Sequence, residues 1–441
     1  MTGPLTKLER KKHLYGDGSA DTKLLLLDQL QRTRLPSARA VIRLHEVLCF
    51  LRAYPDDARV LGRVERMLTR FDRRADLRQH RAALADTGIA GTTIRYRFFW
   101  STARWLTRCW PGQLRFDRSD SDAAEKLRTA LQQLVTPAKA TWLRDSGITA
   151  FAALDRLRGR SLTDASYFVR GVEAMPGDGF TREAFYDAID ASCEFSPRPG
   201  TPSRTQAKYA AAPVAFQRGP LRSGRPDLSE QLLRPPRAVR VLSAREGERL
   251  LDLARAAMVT RARDLDAFAY GDARDVRLVN DGQSLSFVVN GVVPERRVRQ
   301  HATYAYLILG NGVPIGYGEA YLTGRSAAVT FNIFETFRGG EAAVLFARML
   351  AMVRHLFGAD SFSLDPYQLG KDNEEGIASG AWWFYYKLGF RPRAAQARGI
   401  LRRELARMKA RSKHRSSART LRKLAEWPLF FVFEPTKKFS G

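Results

Sequence analysis

Cysteine and histidine are scarce in this sequence of 441 residues. It contains three cysteines, Cys49, Cys109 and Cys193, which lie far apart in the chain, and six histidines. No Cys-x-x-Cys pair occurs and no histidine lies at metal-ligand spacing, so the sequence predicts neither a structural zinc site nor a disulfide framework. Three isolated cysteines favour a reducing compartment, and we expect no metal cofactor.

Long apolar runs are also lacking. No stretch approaches the roughly 18 apolar residues that a membrane-spanning helix needs. The stretch from Met1 to Gly18 is polar and basic, without the apolar centre of a signal peptide. The sequence therefore predicts a soluble, cytoplasmic protein that does not insert into a membrane.

Acidic residues are few beside the basic ones. The 46 Asp and Glu residues stand against 73 Lys and Arg, which gives a net charge of +27 and a pI near 10.5. Such an excess attracts anions, namely nucleic acid, acidic carrier proteins, phosphorylated cofactors or membrane surfaces. The alternative is that the arginines only solvate ordinary helices.

The length and the apolar content predict two or more domains, each with its own core. Residues 1–194 are expected to form a helical domain, because helical periodicity runs almost throughout from Asp21 to Cys193. Two apolar stripes carry this prediction: Val41, Leu44, Leu48 and Leu51, and then Val60, Leu61, Val64, Met67 and Leu68. Further helices are predicted over Asp122–Leu134 and Thr181–Cys193, the latter with Thr181 as its cap.

One predicted helix, Ile94 to Trp110, interleaves aromatic residues with arginines. Such a mixture could stack on and clamp single-stranded nucleic acid. Helical spacing instead puts Phe98 and Trp105 on one face and Arg97, Arg104 and Arg108 on another. The pattern is that of an ordinary amphipathic helix, with nucleic-acid binding as the alternative.

Proline marks the boundary between the two predicted domains. Residues 195–237 hold eight of the chain's prolines together with Gly, Ser and Arg and have little periodicity. This composition predicts an interdomain linker that is partly extended and partly mobile.

The second domain is expected over residues 238–436, with 437–441 as a tail. A short strand, Ala238–Leu242, precedes Ser243 and Glu246, which have the spacing of a capping box, and then a helix through Leu250 and Met258. Asn311-Gly312 is a hairpin signal. The strands predicted around it are Val276–Val279, Leu285–Val289, Tyr304–Leu309, Val313–Leu322 and Ala327–Phe334.

A glycine turn follows this antiparallel meander. The last strand ends at Glu335-Thr336-Phe337-Arg338-Gly339-Gly340 and passes into a predicted helix, Glu341–Phe357. A strand, Ser361–Asp365, and a second helix ending in Tyr385-Tyr386-Lys387-Leu388-Gly389-Phe390 come next. This order resembles the GNAT superfamily of N-acetyltransferases. The resemblance covers residues 238–436 and does not extend to the N-terminal half.

The resemblance implies a binding site for acetyl-CoA or another acyl-CoA. The helix N-terminus after the glycine turn would hold the pyrophosphate, because its free amides and partial positive charge suit an anion. The positions that the resemblance assigns to the cofactor are the strand residues Asn332, Ile333 and Phe334, the turn residues Arg338, Gly339, Gly340, Glu341 and Ala342, and Asn373.

The implied reaction is attack of a primary amine on a thioester, which uses a base and an acid. Tyr385 matches the family's tyrosine and is the predicted acid, with Tyr386 as the second choice. The base stays open among Glu319, Glu335 and Asp365, and a water chain is a further alternative.

The turn departs from the family's pattern at Glu341, where the family has a glycine if Arg338 takes the first position. Relatives of this fold that use a charged tRNA as donor do not need the pyrophosphate site, so an aminoacyl-tRNA-dependent transferase is the first alternative. The second is a non-catalytic protein of this fold that binds nucleic acid or an acidic partner.

A basic helical segment, residues 397–426, is expected between Phe390 and the last strand, Leu429–Phe433. From Arg391 onward the chain has fifteen Lys and Arg against three Asp and Glu. The segment could select an anionic acceptor, such as a carrier protein or RNA, or could simply be solvated. The fold class expected is therefore multidomain, with an N-terminal α-helical domain and a C-terminal α/β (α+β) acyltransferase-like domain whose mixed sheet is mostly antiparallel. The acceptor expected is a small-molecule or protein amine.

Overall fold

A computed structural model describes residues 3–339 and 341–434. Gly340 and the expected tail, 437–441, lie outside the described residues. The chain divides into two compact units. The N-terminal unit comprises the residues up to Lys12, Gly16–Tyr209 and Leu251–Tyr270, and the C-terminal unit comprises His13–Tyr15, Ala210–Leu250 and the residues from Gly271 onward.

The N-terminal unit is mainly helical. Its helices are α1 (Pro4–Lys11), α2 (Ser19–Arg32), α3 (Ala38–Ala53), α4 (Ala58–Thr69), α5 (Ala75–Gln79), α6 (Trp100–Cys109), α7 (Ser121–Leu134), α8 (Pro137–Asp145), α9 (Ala150–Leu157), α10 (Asp164–Ala174), α11 (Gly179–Asp187) and α14 (Asp266–Ala269). The two predicted apolar stripes lie on α3 and α4, and every stripe residue except the half-buried Leu61 is buried. Their periodicity therefore identified the core-facing sides of both helices.

The predicted helix Ile94–Trp110 is wrong at its start. Residues Ile94–Tyr96 form strand β1, which with β2 (Leu114–Phe116) pairs antiparallel to a central strand, β3 (Cys193–Phe195). The helix begins only at Trp100. Pairing with a strand about a hundred residues away decides the conformation of Ile94–Tyr96, and no local periodicity reports such a partner.

Two further details of this unit differ from expectation. Helix α11 ends at Asp187, so Cys193 belongs to β3 and not to a helix. The cap of α11 is Asp178, whose carboxylate accepts hydrogen bonds from the Thr181 backbone N–H and hydroxyl. Asp and Thr are both good N-caps, and the chain uses the one that stands three residues earlier.

The proline-rich segment 195–237 is not a free linker. Thr201, Ser203 and Thr205 are buried in the N-terminal unit, where the Thr205 hydroxyl lies 2.9 Å from His45 Nε2 and the Arg52 guanidinium donates to the Thr205 carbonyl. Farther along, α12 (Leu228–Leu233) packs on helix α15 (Ala342–Phe357) of the C-terminal unit. Long-range hydrogen bonds to the backbone of this segment hold it in place, although its composition predicted a mobile linker.

The C-terminal unit is built on a ten-stranded mixed sheet. In chain order its strands are β4 (Ala238–Val241), β5 (Gly271–Gly282), β6 (Leu285–Val292), β7 (Ala302–Gly310), β8 (Val313–Thr323), β9 (Ser326–Val329), β10 (Asn332–Ile333), β11 (Ser361–Leu364), β12 (Arg391–Pro392) and β13 (Leu429–Val432). The spatial order is β12-β13-β11-β9-β8-β7-β6-β5-β4, with β10 also paired to β8. The pairing of β9 with β11 is parallel and the other pairings are antiparallel. This confirms an α+β chain with a mixed, mostly antiparallel sheet.

The local signals around the meander are confirmed. Asn311 and Gly312 have φ angles of 48° and 79° and join β7 to β8, as a tight hairpin turn requires. The Ser243 hydroxyl accepts a hydrogen bond from the Glu246 N–H, and the Glu246 carboxylate accepts one from the Ser243 N–H. This capping box begins α13 (Ala244–Val259), whose residues from Leu251 onward belong to the N-terminal unit.

The helices of the C-terminal unit are shorter than the sequence predicted. One helix was expected before Gly389, and three occur: α16 (Pro366–Leu369), α17 (Glu374–Ser379) and α18 (Ala381–Lys387). Gly370 and Gly380, with φ angles of 121° and 68°, separate them. The basic segment likewise forms two helices, α19 (Ala395–Ala410) and α20 (Ala418–Leu424). Among the described residues, no helix combines the length and the apolar character needed to cross a membrane.

Candidate active site

In the part of the chain that the structure describes, strands β10 and β11 do not pair with each other, although β9, which directly precedes β10, pairs with β11. The predicted strand Ala327–Phe334 is interrupted, with β9 before Thr330 and Phe331 and β10 after them. Strand β11 pairs with β9 from Ser361 to Ser363, whereas β10 pairs within the described chain only with β8. Within the described chain, no strand pairs with the edge of β10 that faces away from β8, and an unpaired strand edge offers backbone donors and acceptors to a ligand. The Arg338 side chain already donates to the Ile333 carbonyl of this strand at 3.0 Å.

The interruption between β9 and β10 is held on both sides. The Thr330 carbonyl accepts a hydrogen bond from the Tyr306 hydroxyl, and the Phe331 N–H donates to Gln368 Oε1 at 3.1 Å. The Thr330 hydroxyl accepts from the Glu319 N–H at 2.8 Å. Strands β7 and β8 and helix α16 thus fix the position at which β10 leaves the path of β9.

Tyr385 on α18 joins the same group of side chains. It is buried, and its hydroxyl lies 3.5 Å from Gln368 Oε1. Its ring packs edge-on against Phe346, with 5.1 Å between the ring centroids. Burial raises the pKa of Tyr385, so the phenol stays protonated at neutral pH and is a hydrogen-bond donor. The buried cluster Tyr306, Gln368 and Tyr385 forms the centre of the candidate site.

Tyr386 does not join this cluster. Its ring stacks on that of Trp382, with 5.4 Å between centroids, and the Arg391 guanidinium lies 4.3 Å from its centroid. Consecutive helical residues point about 100° apart, which explains why Tyr385 and Tyr386 serve different surroundings. Tyr385 is therefore the better placed of the two predicted acids.

The three candidate bases differ in position. Glu319 is half-buried on β8, its backbone is hydrogen-bonded to Thr330, and its carboxylate accepts from the Tyr321 hydroxyl at 2.9 Å. Glu335 is exposed in the short 3-10 helix Glu335–Phe337. Asp365 is exposed and caps α16 by accepting from the Tyr367 N–H. Of the three, Glu319 lies beside the strand interruption.

A cavity of about 1020 Å³ opens at the N-terminus of α15. Its walls come from the glycine turn, from α17 and α18, from the α19–α20 region and from Ser223–Arg225 of the proline-rich segment. Three cationic side chains line it: Arg225, Lys387 and Arg415. Trp383 forms part of the same wall and donates from Nε1 to the Ser416 hydroxyl at 3.0 Å. Such a lining suits an elongated, anionic ligand with an apolar part.

Two of the cofactor residues predicted in the turn line this cavity, namely Gly339 and Ala342. Gly339 has a φ of 102°, which favours glycine. Arg338 is exposed, donates to the Ile333 carbonyl at 3.0 Å and pairs with Glu375. Gly340 lies outside the described residues.

Glu341 is the N-cap of α15, but its side chain makes no capping hydrogen bond to the helix. Its carboxylate accepts instead from the Arg222 N–H at 3.3 Å, and burial raises its pKa. The first-turn amides of α15 therefore keep their capacity for a ligand. Glu341 holds the segment that carries Arg225 to the cavity wall.

The remaining predicted cofactor residues have structural partners. The Phe334 N–H donates to the Ile315 carbonyl of β8, and Asn332 and Ile333 form the open-edged strand β10. Asn373 caps α17 by accepting from the Gly376 N–H, and its amide donates to the Tyr367 carbonyl. The structure thus brings Gly339 and Ala342 to the cavity but gives Asn373 a capping role.

Sequence reasoning missed Tyr306, Gln368 and the cavity wall Ser223–Arg225. Tyr306 reads as one more residue in an alternating strand, and Gln368 has no motif around it. A signal for Tyr306 was its partner Gly318, since Gly318 faces it across β7 and β8 and leaves room for the phenol. Among the described residues, no group of three or more His, Cys, Asp or Glu could hold a metal ion.

Comparisons with protein-family models, with curated proteins and with solved structures find no match to this chain.

Proposed function

We propose that this chain is an N-acyltransferase that moves an acyl group, most simply acetyl from acetyl-CoA, to a primary amine. The observation that carries the proposal is the separation of β10 from β11 beside the buried phenol of Tyr385. A pantetheine arm could pair with the open edge of β10. The thioester would then lie near the interruption at Thr330 and Phe331.

The cavity at the N-terminus of α15 supports the same function. The diphosphate of coenzyme A would meet the first-turn amides of α15, the glycine backbone at Gly339 and the cations Arg225, Lys387 and Arg415. Helix N-termini favour phosphate because their amides are unpaired and carry partial positive charge. The proposed ligand thus has its anionic end at this cavity and its reactive end at Tyr385.

The proposed chemistry is a direct transfer. The amine nitrogen attacks the thioester carbonyl, a C–N bond forms and the C–S bond breaks. Glu319 takes the proton that the amine loses, and Tyr385 gives its phenolic proton to the leaving thiolate. The proton held by Glu319 then returns to Tyr385 through water, so that both groups regain their starting protonation. Because burial raises the pKa of Tyr385, the group enters each cycle as an acid.

A second candidate function is aminoacyl transfer from a charged tRNA. The half-buried carboxylate of Glu341 at the N-terminus of α15 favours it, since a negative charge there opposes a diphosphate. The cations Arg225, Lys387 and Arg415 that line the cavity offset that charge, so acetyl-CoA remains the first donor to test.

Calorimetric titration with acetyl-CoA tests the donor. The double variant Lys387→Gln and Arg415→Gln should weaken binding at least tenfold, because both side chains line the cavity. The control, Arg402→Gln with Arg403→Gln, removes the same charge from exposed positions outside the cavity wall and should leave binding unchanged. Absence of binding at millimolar acetyl-CoA would refute the coenzyme A proposal.

Tyr385→Phe tests the chemistry. Release of the coenzyme A thiol in the presence of a panel of primary amines should slow about 10²- to 10⁴-fold, while acetyl-CoA affinity stays within a factor of two. Turnover equal to that of the unaltered protein would remove Tyr385 from the reaction. Binding with no turnover in either protein would favour the non-catalytic alternative.

A further inference from the structure

The basic hairpin, defined as α19, α20 and the residues between them, has a surface charge of one sign. It contains eleven lysines and arginines, and every one of them is exposed: Arg398, Arg402, Arg403, Arg407, Lys409, Arg411, Lys413, Arg415, Arg419, Arg422 and Lys423. Within the described chain, only two of the eleven, Arg407 and Arg422, pair with a carboxylate. The other nine leave an uncompensated field over the hairpin.

The single acidic residue of the hairpin is buried and holds its two helices together. Glu404 is 2% exposed, and its carboxylate accepts hydrogen bonds from His414, Ser416 and Arg407. These contacts join α19 to the turn before α20. The hairpin therefore has a defined shape, and its only negative charge is withdrawn from the surface.

The composition of this surface indicates which kind of anionic partner it suits. Eight of its eleven cations are arginines, whose planar guanidinium groups match phosphate in two hydrogen bonds. A membrane surface would need an exposed apolar stripe, and an acidic protein would need apolar or aromatic anchors. Within the described hairpin, Leu405 alone is an exposed large apolar residue, at 37%. These features favour a phosphate backbone.

The hairpin also borders the cavity of the candidate active site. Met408, Arg415, Ser416, Ala418 and Leu421 line that cavity. A strand bound along the exposed cations would thus pass the entrance of the cavity, and a group at its end could enter. We propose that the basic hairpin binds the phosphates of an RNA strand and that this RNA carries the amine acceptor. The second half rests on the proposed acyl transfer, whereas the first half does not.

RNA binding is tested by fluorescence anisotropy with a labelled single-stranded RNA of about 20 nucleotides. Arg402, Arg403 and Lys409 are changed together to Gln, because all three are exposed and none lines the cavity. Each lost phosphate contact should lower the slope of log K against log salt by about 0.7, so three should weaken binding about 100-fold at 0.1 M salt.

The matched control removes three exposed arginines from the N-terminal unit, Arg66→Gln, Arg70→Gln and Arg78→Gln. It carries the same net charge as the hairpin variant and should bind RNA nearly as the unaltered protein does. Equal weakening by the two sets would overturn the hairpin assignment and leave only general charge. Displacement of the RNA by polyglutamate at equal charge concentration would overturn the choice of nucleic acid.

The acceptor is tested with acetyl-CoA and aminoacyl-tRNA as the probe, against the free amino acid. The hairpin variant should lose about 100-fold in kcat/KM toward aminoacyl-tRNA while its calorimetric affinity for acetyl-CoA is unchanged. Equal kcat/KM for the free amino acid and aminoacyl-tRNA would overturn the RNA-borne acceptor. Failure of acetyl-CoA binding with hairpin-dependent RNA binding intact would count against the proposed acyl transfer alone.

Discussion

Arg348 in α15 lies outside the cavity wall, but it holds the helix whose N-terminus forms part of that wall. Its guanidinium donates to Asp281 Oδ1 and Oδ2 at 2.6 and 2.8 Å, and the two side chains are 8% and 6% exposed. It also donates to the carbonyls of Gln231 and Arg234, at the end of α12, at 2.9 and 3.0 Å. One buried cation thus joins α15, β5 and the proline-rich segment.

Arg348→Met keeps the apolar stem but leaves the Asp281 carboxylate buried without its cation and two carbonyls without their donor. Removal of one partner from a buried ion pair typically costs about 3–5 kcal/mol. At about 1.4 kcal/mol per factor of ten, amide exchange in α15 and α12 should accelerate about 10²- to 4 × 10³-fold wherever exchange occurs through unfolding of this unit. Hydrogen exchange followed by mass spectrometry measures it.

Arg325→Met is the matched control. Arg325 also pairs through two nitrogens with one carboxylate, that of Asp360, but its side chain is 74% exposed. Exposed pairs contribute about 0.2–1 kcal/mol, so exchange should change less than about fivefold. An acceleration below tenfold in Arg348→Met, or equal acceleration in both variants, would refute the reasoning that burial makes the Arg348 pair strong.

Two further predictions concern the interior. Gly318→Ala should destabilise the C-terminal unit by about 1–3 kcal/mol in denaturant unfolding, because the new Cβ would overlap the Thr330 carbonyl oxygen and the Tyr306 hydroxyl. Gly399→Ala lies inside α19, where the new Cβ would meet nothing closer than 3.9 Å. This second variant should stabilise the same unit by about 0.5–1 kcal/mol. Burial raises the pKa of Asp264 from 3.8 to about 6. The folded N-terminal unit therefore binds this proton more tightly than the unfolded chain, and its stability should fall by up to about 3 kcal/mol as pH rises from about 4 to 6. Asp264→Asn should abolish that fall, and an unchanged pH profile in urea unfolding would contradict the Asp264 carboxyl as its cause.

The sequence predicted those parts of the fold that local patterns control. Alternation located the long strands of the meander, and Asn311-Gly312 fixed the hairpin between β7 and β8, because positive φ at both positions allows few residues. The capping box at Ser243 located the start of α13 in the same way. These signals need no knowledge of distant residues.

Three of the errors involve partners that are distant in the chain. Ile94–Tyr96 became a strand because Cys193–Phe195 lies beside it. The proline-rich segment packs because His45, Arg52 and other distant side chains satisfy its backbone and hydroxyls. Gln368 belongs to the candidate site because its side chain accepts a hydrogen bond from the Phe331 N–H. Phe331 lies in the interruption between β9 and β10. The composition and periodicity of a segment carry no information about which distant residues it will contact.

The contribution of Leu251–Tyr270 to the N-terminal unit bears on the order in which the protein can fold during synthesis. Val259 belongs to the apolar core there, Asp252 accepts from the Trp105 indole at 2.8 Å, and Asp264 accepts from the Phe99 N–H. A ribosome must therefore extend the chain past Tyr270, through Ala210–Leu250 and strand β4 of the second unit, before the first unit has all its parts. Until then Trp105 and its neighbours lack their partners. We therefore expect the unfinished N-terminal unit to depend on chaperones during synthesis.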